Sequence, residues 1–128
     1  LIGLVGSEMC IRDRDTIGAM KIRALCPDAT LIYILPPSWD ELKSRLSSTG
    51  IYNKEEVNAL MEIAEEEISC ANSYDYILVN DTISNTLSRF AQIIHSNRYS
   101  RNCMKEFLDS YIDGEVKPHV QSYKEALL

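Results

Sequence analysis

The chain has 128 residues, one domain or part of one, and its 45% hydrophobic and 25% charged residues are ordinary for a globular protein. The net charge of −6 at pH 7 argues against duplex DNA or an anionic membrane as a partner, because both bind clustered Lys and Arg. No apolar run approaches the roughly 20 residues that are needed to span a bilayer.

The cysteines and the acidic residues give no sign of a metal site. None of the four cysteines has CxxC or metal-ligand spacing, so we expect reduced thiols in a cytoplasmic protein. These cysteines are Cys10, Cys26, Cys70 and Cys103. The glutamates between residues 62 and 67 are expected to form a solvated helix face, because a hard cation takes oxygen ligands from a folded loop or from several elements.

Residues 1–14 require separate treatment. The segment begins at Leu1 without a methionine, and residues 7–14 resemble the translation of a transposon-end adapter that is used to prepare sequencing libraries. We therefore expect residues 1–14 to be non-native and exclude them from fold reasoning. The alternatives are a short apolar strand with a glycine turn, or a clipped signal segment, which lacks the basic residues that would precede its apolar part.

The next part of the chain predicts a helix and then a buried strand. Residues 16–25 have apolar side chains close to helical spacing, and Cys26-Pro27-Asp28 ends this helix. The run Leu31 to Leu35 is apolar without alternation, which is typical of an inner strand of a parallel sheet. Pro36 and Pro37 end the strand, because proline has no N–H to donate to a neighbouring strand.

Two helices with capping signals follow. Ser38 and Glu41 have the spacing of a capping box, which predicts a helix to about Leu46. After a small polar loop over residues 47–50, Asn53 and Glu56 have the same spacing at the start of a longer helix. Its apolar stripe is predicted at positions 57, 60, 61, 64, 68 and 71.

A second strand–loop–helix unit completes the pattern. Residues 74–79 predict a strand, and Asn80-Asp81-Thr82 predicts a turn and an N-cap for a helix that extends to about residue 97. Residues 98–128 predict one more helix around residues 104–111 and then a loosely ordered tail. Alternating strands and helices indicate the α/β class.

The residues alone do not identify an enzyme. The sequence has no Gly-x-x-x-x-Gly-Lys-Ser/Thr phosphate loop. His95 and His119 are isolated from possible catalytic partners, and Ser38 is better explained as a helix cap than as a nucleophile. These patterns by themselves predict part of an α/β domain.

Six segments of the chain resemble the guanylate kinase family, in the family's order. They are Asp15–Ala19, Pro27–Ala29, Ile34–Ser38, Glu41–Leu46, Glu55–Val57 and Tyr74–Asp81. The resemblance covers Asp15 to about Asn97, the C-terminal half of that family's domain. It implies a parallel-sheet, P-loop nucleoside-monophosphate-kinase fold truncated at the N-terminus, with the phosphate loop and the GMP-binding subdomain upstream. Such a truncation would expose apolar strands, so we expect the chain alone to be poorly soluble. We also expect it to be inactive, because it has neither the phosphate loop nor the GMP site.

The resemblance also implies a function and a set of site residues. The family transfers a phosphoryl group from ATP to GMP with Mg²⁺. ATP and Mg²⁺ are therefore implied for the intact parent, and none is expected to be bound by this chain alone. Asp15 and Gly18 match a strand end beside the phosphates, and Arg45 matches the arginine at the start of the lid that contacts the transferring groups. Asn80 matches the asparagine of the loop that contacts adenine, and Asp81 follows it. The alternatives stay open that Arg45 is a helix-surface residue and that Asn80 is only a turn residue.

Two departures from the family pattern leave the activity open. Thr49, before Gly50, and Leu60 stand where the family has two further arginines. Neither side chain can present the forked donors that arginine offers to phosphate oxygens, so a severely weakened enzyme is expected. Three hypotheses remain: an ATP:GMP kinase, a non-catalytic guanylate-kinase-like binding module, and a kinase for another acceptor nucleotide.

Overall fold

A computed structural model describes residues 11–114. Residues 11–93 fall in one compact unit and residues 94–114 in a second, so the two are described separately. In chain order the elements are α1 (Thr16–Leu25), β1 (Ile32–Leu35), α2 (Trp39–Ser48), α3 (Lys54–Glu67), a 3₁₀ helix (Ile68–Ser73), β2 (Tyr76–Val79), α4 (Ile83–Asn97) and α5 (Lys105–Ile112). Within the described part of the chain, no helix is long and apolar enough to cross a membrane.

The strands form a small parallel sheet. Ile32 pairs with Tyr76 and Leu35 with Val79, so the pairing covers the whole of both strands. The chain between them passes through α2, α3 and the 3₁₀ helix, because parallel strands need a long crossover. The predicted mixture of helices with parallel strands is therefore confirmed. Both strands are shorter than predicted, and Leu31 lies just outside β1 although its carbonyl already accepts from the N–H groups of Asp75 and Tyr76.

An ion pair fixes the amino ends of the strands to α1. One oxygen of Asp75 accepts from the backbone N–H of Leu31 at 2.7 Å and from the Arg23 guanidinium at 2.6 Å. Arg23, in the last turn of α1, also donates to the carbonyl of Pro27 at 3.2 Å. The end of α1, the following turn and both strand starts are thus held by two side chains.

Side-chain caps start the helices largely as the sequence predicts. The Ser38 hydroxyl accepts from the N–H of Glu41 at 3.1 Å. Asn53 and Glu56 form the complete capping box, with bonds of 2.9 Å and 2.8 Å. The Glu41 carboxylate accepts from Arg45 instead of the N-cap N–H, so the first predicted capping box is only half formed. The guanidinium of Arg45 and the neutral N–H of Ser38 compete for the Glu41 carboxylate. The charged donor forms the stronger hydrogen bond.

The long α3 stripe ends earlier than predicted. α3 stops at Glu67, and positions 68 and 71 of the stripe lie in the 3₁₀ helix. Ser69 donates to the carbonyl of Glu66, and Asn72 donates to the carbonyl of Ser69. Small polar side chains that bond to nearby backbone compete with regular α-helical geometry.

The apolar core of the described residues is small. The buried apolar residues are Ala19, Leu31, Val57, Ala71 and Leu78. On the strands, Ile34 is 57% exposed and Ile77 is 56% exposed. The sequence predicts that β1 is an inner strand, but each strand lies at an edge of the two-stranded sheet of the described residues. Ile34, Ile77 and Val79 are open to solvent, whereas Leu78 is buried.

The second unit contains the predicted helix around residues 104–111, which is confirmed as α5. Phe107 and Tyr111 pack edge to face with ring centroids 5.2 Å apart. Ser110 is buried and donates to the carbonyl of Phe107 at 2.6 Å. The predicted loose tail lies mainly beyond residue 114, and residues 1–10 of the predicted adapter segment precede the described residues.

The open strands predict self-association of the 128-residue chain. Exposed strand edges with apolar side chains pair with other chains, and the exposed Ile77 on β2 contributes to such a surface. We expect Ile77→Thr, which keeps a β-branched side chain, to lower the weight-average mass in analytical ultracentrifugation. Glu62→Gln, on the exposed face of α3, is the matched control. A monomeric wild-type chain with one sharp thermal transition would contradict this expectation.

Candidate functional site at the carboxyl ends of the strands

The loop after β2 lies against the end of β1. The N–H of Asn80, the first residue after β2, donates to the carbonyl of Leu35, the last residue of β1, at 2.7 Å. Ligands of open α/β sheets bind in the crevice beyond the carboxyl ends of parallel strands. The loop of Asn80, Asp81 and Thr82 is therefore placed where such a ligand would bind.

Arg45 connects α2 to this loop. Its guanidinium donates through Nη1 to the carbonyl of Asn80 at 2.8 Å and through Nη2 to the carbonyl of Asp81 at 3.1 Å. Its Nε donates to Glu41, one helical turn earlier, at 2.8 Å. The Arg45 side chain is 37% exposed, so it is held in place while still reachable from solvent.

A second arginine holds the same loop from α4. Nη1 of Arg89 donates to the carbonyl of Val79 at 3.2 Å and lies 3.0 Å from a carboxylate oxygen of Asp81. The other carboxylate oxygen of Asp81 accepts from the N–H of Thr82 at 2.7 Å. That hydrogen bond, followed by the pairing with Arg89, holds the pKa of Asp81 below its ordinary value of 3.8, although partial desolvation opposes the shift.

Asn80 and Thr82 also perform the predicted turn and capping roles. The Thr82 hydroxyl accepts from the N–H of Asn85 at 3.3 Å, at the start of α4. The Asn80 side-chain oxygen accepts from the hydroxyl of Thr86 at 3.1 Å. This bond directs the amide of Asn80 toward α4 and fixes its orientation. A turn role and a binding role for Asn80 are therefore compatible.

Asp15 and Gly18 form a separate local unit at the start of α1. The Asp15 carboxylate accepts from the N–H of Gly18 at 2.7 Å, which caps the helix. A Cβ at position 18 would lie 2.7 Å from that same carboxylate oxygen, so a larger residue there would require the end of the Asp15 side chain to shift. Among the described residues, no hydrogen bond or ion pair joins this cap to Arg45 or to the Asn80–Asp81 loop.

Thr49 and Leu60 have structural roles of their own. They stand at the two positions where the family resemblance predicts an arginine. The Thr49 hydroxyl donates to the carbonyl of Leu46 at 2.9 Å and accepts from the N–H of Ile51 at 3.3 Å. Gly50 follows with φ of +69°, the left-handed conformation that commonly ends a helix. Leu60 is half-buried within α3. Both positions therefore stabilise the α2–α3 region without supplying a cation.

A second polar cluster serves packing. Tyr33 and Tyr74 meet edge to face, with ring centroids 5.0 Å apart. Burial raises the pKa of both hydroxyls, and the charges of Glu67 and Cys70 add to the effect. Thr16 donates to Glu67 at 3.0 Å. Across residues 11–114, no group of three or more His, Cys, Asp and Glu side chains is placed to hold a metal ion.

Neither the contacts of Arg89 with the loop nor the ion pair between Glu41 and Arg45 was predicted from the sequence. The signal for Arg89 was its position two helical turns after the Thr82 cap, on the side of α4 that also carries Thr86. For Glu41 the signal was its spacing of four residues from Arg45 on α2, which favours an ion pair. The sequence interpretation assigned Glu41 to the capping box instead. Of the predicted residues, Arg45, Asn80 and Asp81 lie together, whereas Asp15 and Gly18 belong to the α1 cap.

Comparison with known proteins shows which family this sequence resembles. The family model for guanylate kinase matches residues 5–97. A guanylate kinase from Francisella tularensis subsp. tularensis strain SCHU S4 is 44% identical over 88 residues, which are 68% of this chain and 46% of that protein. One from Thermus thermophilus is 37% identical over 102 residues, or 80% of this chain and 46% of the relative. One from Clostridium acetobutylicum is 32% identical over 117 residues, or 91% and 54%.

Two parallel strands joined by helices define a protein of the α/β class. The chain belongs to the guanylate kinase family, because the family model covers more than half of it. It spans about half the length of the curated relatives that it matches. The family match begins at residue 5, inside the segment assigned to the adapter, so the boundary of that segment stays a prediction.

The arginine contacts at the loop make a testable electrostatic prediction. Arg89→Gln removes the cation that favours ionised Asp81, so we expect the pKa of Asp81 to rise toward 3.8. A carboxyl whose pKa is lowered by folding stabilises the folded loop above its ordinary pKa and loses that contribution as pH falls through the folded value. NMR titration of the Asp81 side-chain carboxyl carbon measures the pKa.

The matched control for this titration is Lys43→Gln, which removes one positive charge from an exposed position of α2. It should leave the pKa of Asp81 unchanged. An Asp81 pKa that is the same in Arg89→Gln as in the unmodified chain would show that Arg89 does not pair with it in solution.

Proposed function

We propose that this chain is the lid-side and adenine-side part of an enzyme that transfers a phosphoryl group from ATP to GMP, giving ADP and GDP. Membership of the guanylate kinase family supports the proposal. The observation that carries it is the meeting of Arg45 with the Asn80–Asp81 loop, from positions 35 and 36 residues apart in the chain. That contact would bring a phosphate-binding cation and a base-contacting loop together at the carboxyl ends of the strands.

Arg45 has the properties that phosphoryl transfer requires. The protein's contribution to this chemistry is mainly positioning and neutralisation of charge on the phosphate oxygens. A guanidinium has five N–H donors, and the loop carbonyls and Glu41 together occupy three of those of Arg45. One N–H on each Nη remains to donate to a phosphate oxygen, and the guanidinium charge attracts the phosphate group.

The other predicted residues have supporting roles in the proposal. Asn80 and Asp81 would form the wall of the adenine pocket. Contacts with Arg45, Arg89 and Thr86 hold their backbone and side chains in place. Asp15 and Gly18 are assigned to the phosphate side through the α1 cap, on the strength of the family pattern. The enzyme would act in the cytoplasm, and a phosphate loop supplied by other parts of a complete P-loop kinase would hold ATP.

Mg²⁺ would enter with ATP. This ion keeps several water ligands and is usually bound through phosphate oxygens and one or two carboxylates. In the described residues the carboxylates of Asp15 and Asp81 are already engaged by N–H donors and by Arg89. They do not form a dedicated magnesium cage, and no step of the proposal depends on one.

A non-catalytic binding module is the second candidate, and the residues at positions 49 and 60 favour it. Thr49 closes the end of α2 and Leu60 is half-buried, so both are integrated into the fold as uncharged residues. Each stands where the family resemblance predicts an arginine aimed at phosphate. A domain that has lost those cations can keep a nucleotide site without accelerating transfer.

A hybrid enzyme distinguishes the two candidates. We expect a fusion of the upstream half of the Francisella tularensis relative to residues 15–128 of this chain to form GDP slowly from GMP and ATP. Introducing Thr49→Arg and Leu60→Arg should raise kcat by about 10²–10³, because preorganised cations stabilise the transferring phosphoryl group. Coupled measurement of ADP formation gives the rate.

Ser47→Arg is the matched control for this experiment, since it adds a cation at an exposed position of the same α2 end. It should leave kcat unchanged, and Arg45→Gln should abolish the activity. A folded hybrid that forms no GDP with or without the two added arginines would contradict the kinase proposal. Turnover of GMP by the 128-residue chain alone would contradict its proposed dependence on an upstream phosphate loop.

A further inference from the structure

Three successive backbone carbonyls at the end of β2 all accept hydrogen bonds from arginine side chains. Arg89 binds the carbonyl of Val79, and Arg45 binds those of Asn80 and Asp81. Carbonyls that leave a sheet ladder need new partners, and here charged donors from two helices supply them. The conformation of the loop is thereby determined by side chains that approach from α2 and α4.

We propose that Arg45 is a positioning residue for the adenine loop, in addition to its contact with phosphate. By spanning two neighbouring carbonyls it fixes the direction of the peptide groups that follow Asn80, and so sets the shape of the base pocket. This inference rests on the proposed function only in assigning the loop to adenine. The contact itself stands on the geometry of Arg45 with the loop.

Glu41 orients Arg45 for this role. Its carboxylate binds Nε, the donor that points back along α2, and leaves both Nη groups directed at the loop. The pair lies four residues apart on a helix, where side chains meet on one face. Glu41 therefore acts through Arg45, and the half-formed capping box at Ser38 follows from that use of the carboxylate.

The arrangement couples the start of the lid, at the end of α2, to the proposed adenine pocket. α2 ends at Ser48, directly before the turn of Thr49 and Gly50, and Arg45 lies in its last turn. A nucleotide whose phosphates engage the free N–H groups of Arg45 would bind the same side chain that shapes the adenine loop. Affinity for the base and affinity for the phosphates are then linked through one residue.

Hydrogen exchange on the full 128-residue chain tests the positioning role without any nucleotide. Arg45→Lys keeps the charge but cannot span two carbonyls with a rigid fork. We expect the amide N–H groups of Asn80 and Thr82 to exchange about tenfold faster in this variant, as the loss of charged hydrogen bonds implies. Glu41→Gln should change the same amides in the same direction, and Lys43→Gln should change neither.

Unchanged exchange at both amides in Arg45→Lys and in Glu41→Gln, with the helical circular dichroism retained, would overturn the proposal. Exchange that rises throughout the unit of residues 11–93 would also overturn it, because that result indicates general destabilisation. Only an increase confined to the loop supports a positioning role.

Binding of two partial ligands separates positioning from phosphate contact. NMR titrations with adenosine and with inorganic tripolyphosphate measure the two halves of ATP independently. In Arg45→Lys we expect the Kd for adenosine to rise about tenfold, while that for tripolyphosphate changes less than about threefold, because lysine retains the charge. The reverse pattern would show that Arg45 is a phosphate ligand alone.

The failure of the proposed function has a different signature. If the unmodified chain does not bind adenosine, the assignment of the loop to adenine is wrong, and the link to base affinity falls with it. The exchange measurement still decides whether Arg45 positions the loop, because it uses no ligand.

Discussion

The structure depends on how the backbone polar groups at the two ends of a very short sheet are satisfied. Each strand has four residues, and few apolar residues of the described part of the chain are buried. Charged side chains therefore hold the strand ends in place. Asp75 binds the N–H of Leu31 and the Arg23 side chain at the amino end, and Arg45 and Arg89 bind the carbonyls that follow β2 at the carboxyl end. Because hydrogen bonds to charged groups are stronger than neutral ones, they hold this geometry where packing contributes little.

The polar contacts at the carboxyl end have a direct consequence for function. A nucleotide site needs cations that phosphate oxygens can reach and a rigid wall for the base. In the proposed site, Arg45 would offer the first and help to form the second, since its donors are divided between the loop carbonyls and solvent. Thr49 and Leu60 occupy neighbouring parts of the α2–α3 region as uncharged structural residues. The balance between a slow kinase and a binding module therefore depends on how much of the charge stabilisation one arginine can provide.

Local chemistry made much of the fold predictable. The capping box of Asn53 and Glu56, the helix over residues 16–25 and the Thr82 cap all follow from signals within a few residues, and the structure has each of them. What could not be predicted depends on distant backbone. Backbone carbonyls have no side-chain identity, so nothing in the sequence shows that Arg45 reaches those of Asn80 and Asp81. The site residues came from family resemblance, and Arg89 was missed because its partners are a carbonyl and a carboxylate around the loop. The exposure of Ile34 was also unpredictable, because an apolar run does not reveal how many strands flank it.

The most direct test of the account observes the Arg45 side chain itself. In an ¹⁵N-labelled chain, the Nε–H signal of Arg45 reports both its bond to Glu41 and any approach of phosphate. We predict that this proton exchanges with water more slowly than that of the exposed Arg101, and that in the hybrid enzyme its signal shifts on addition of ATP with Mg²⁺. Exchange as fast as that of Arg101, with no response to the nucleotide, would contradict the claim that Arg45 joins α2 to a nucleotide-binding loop.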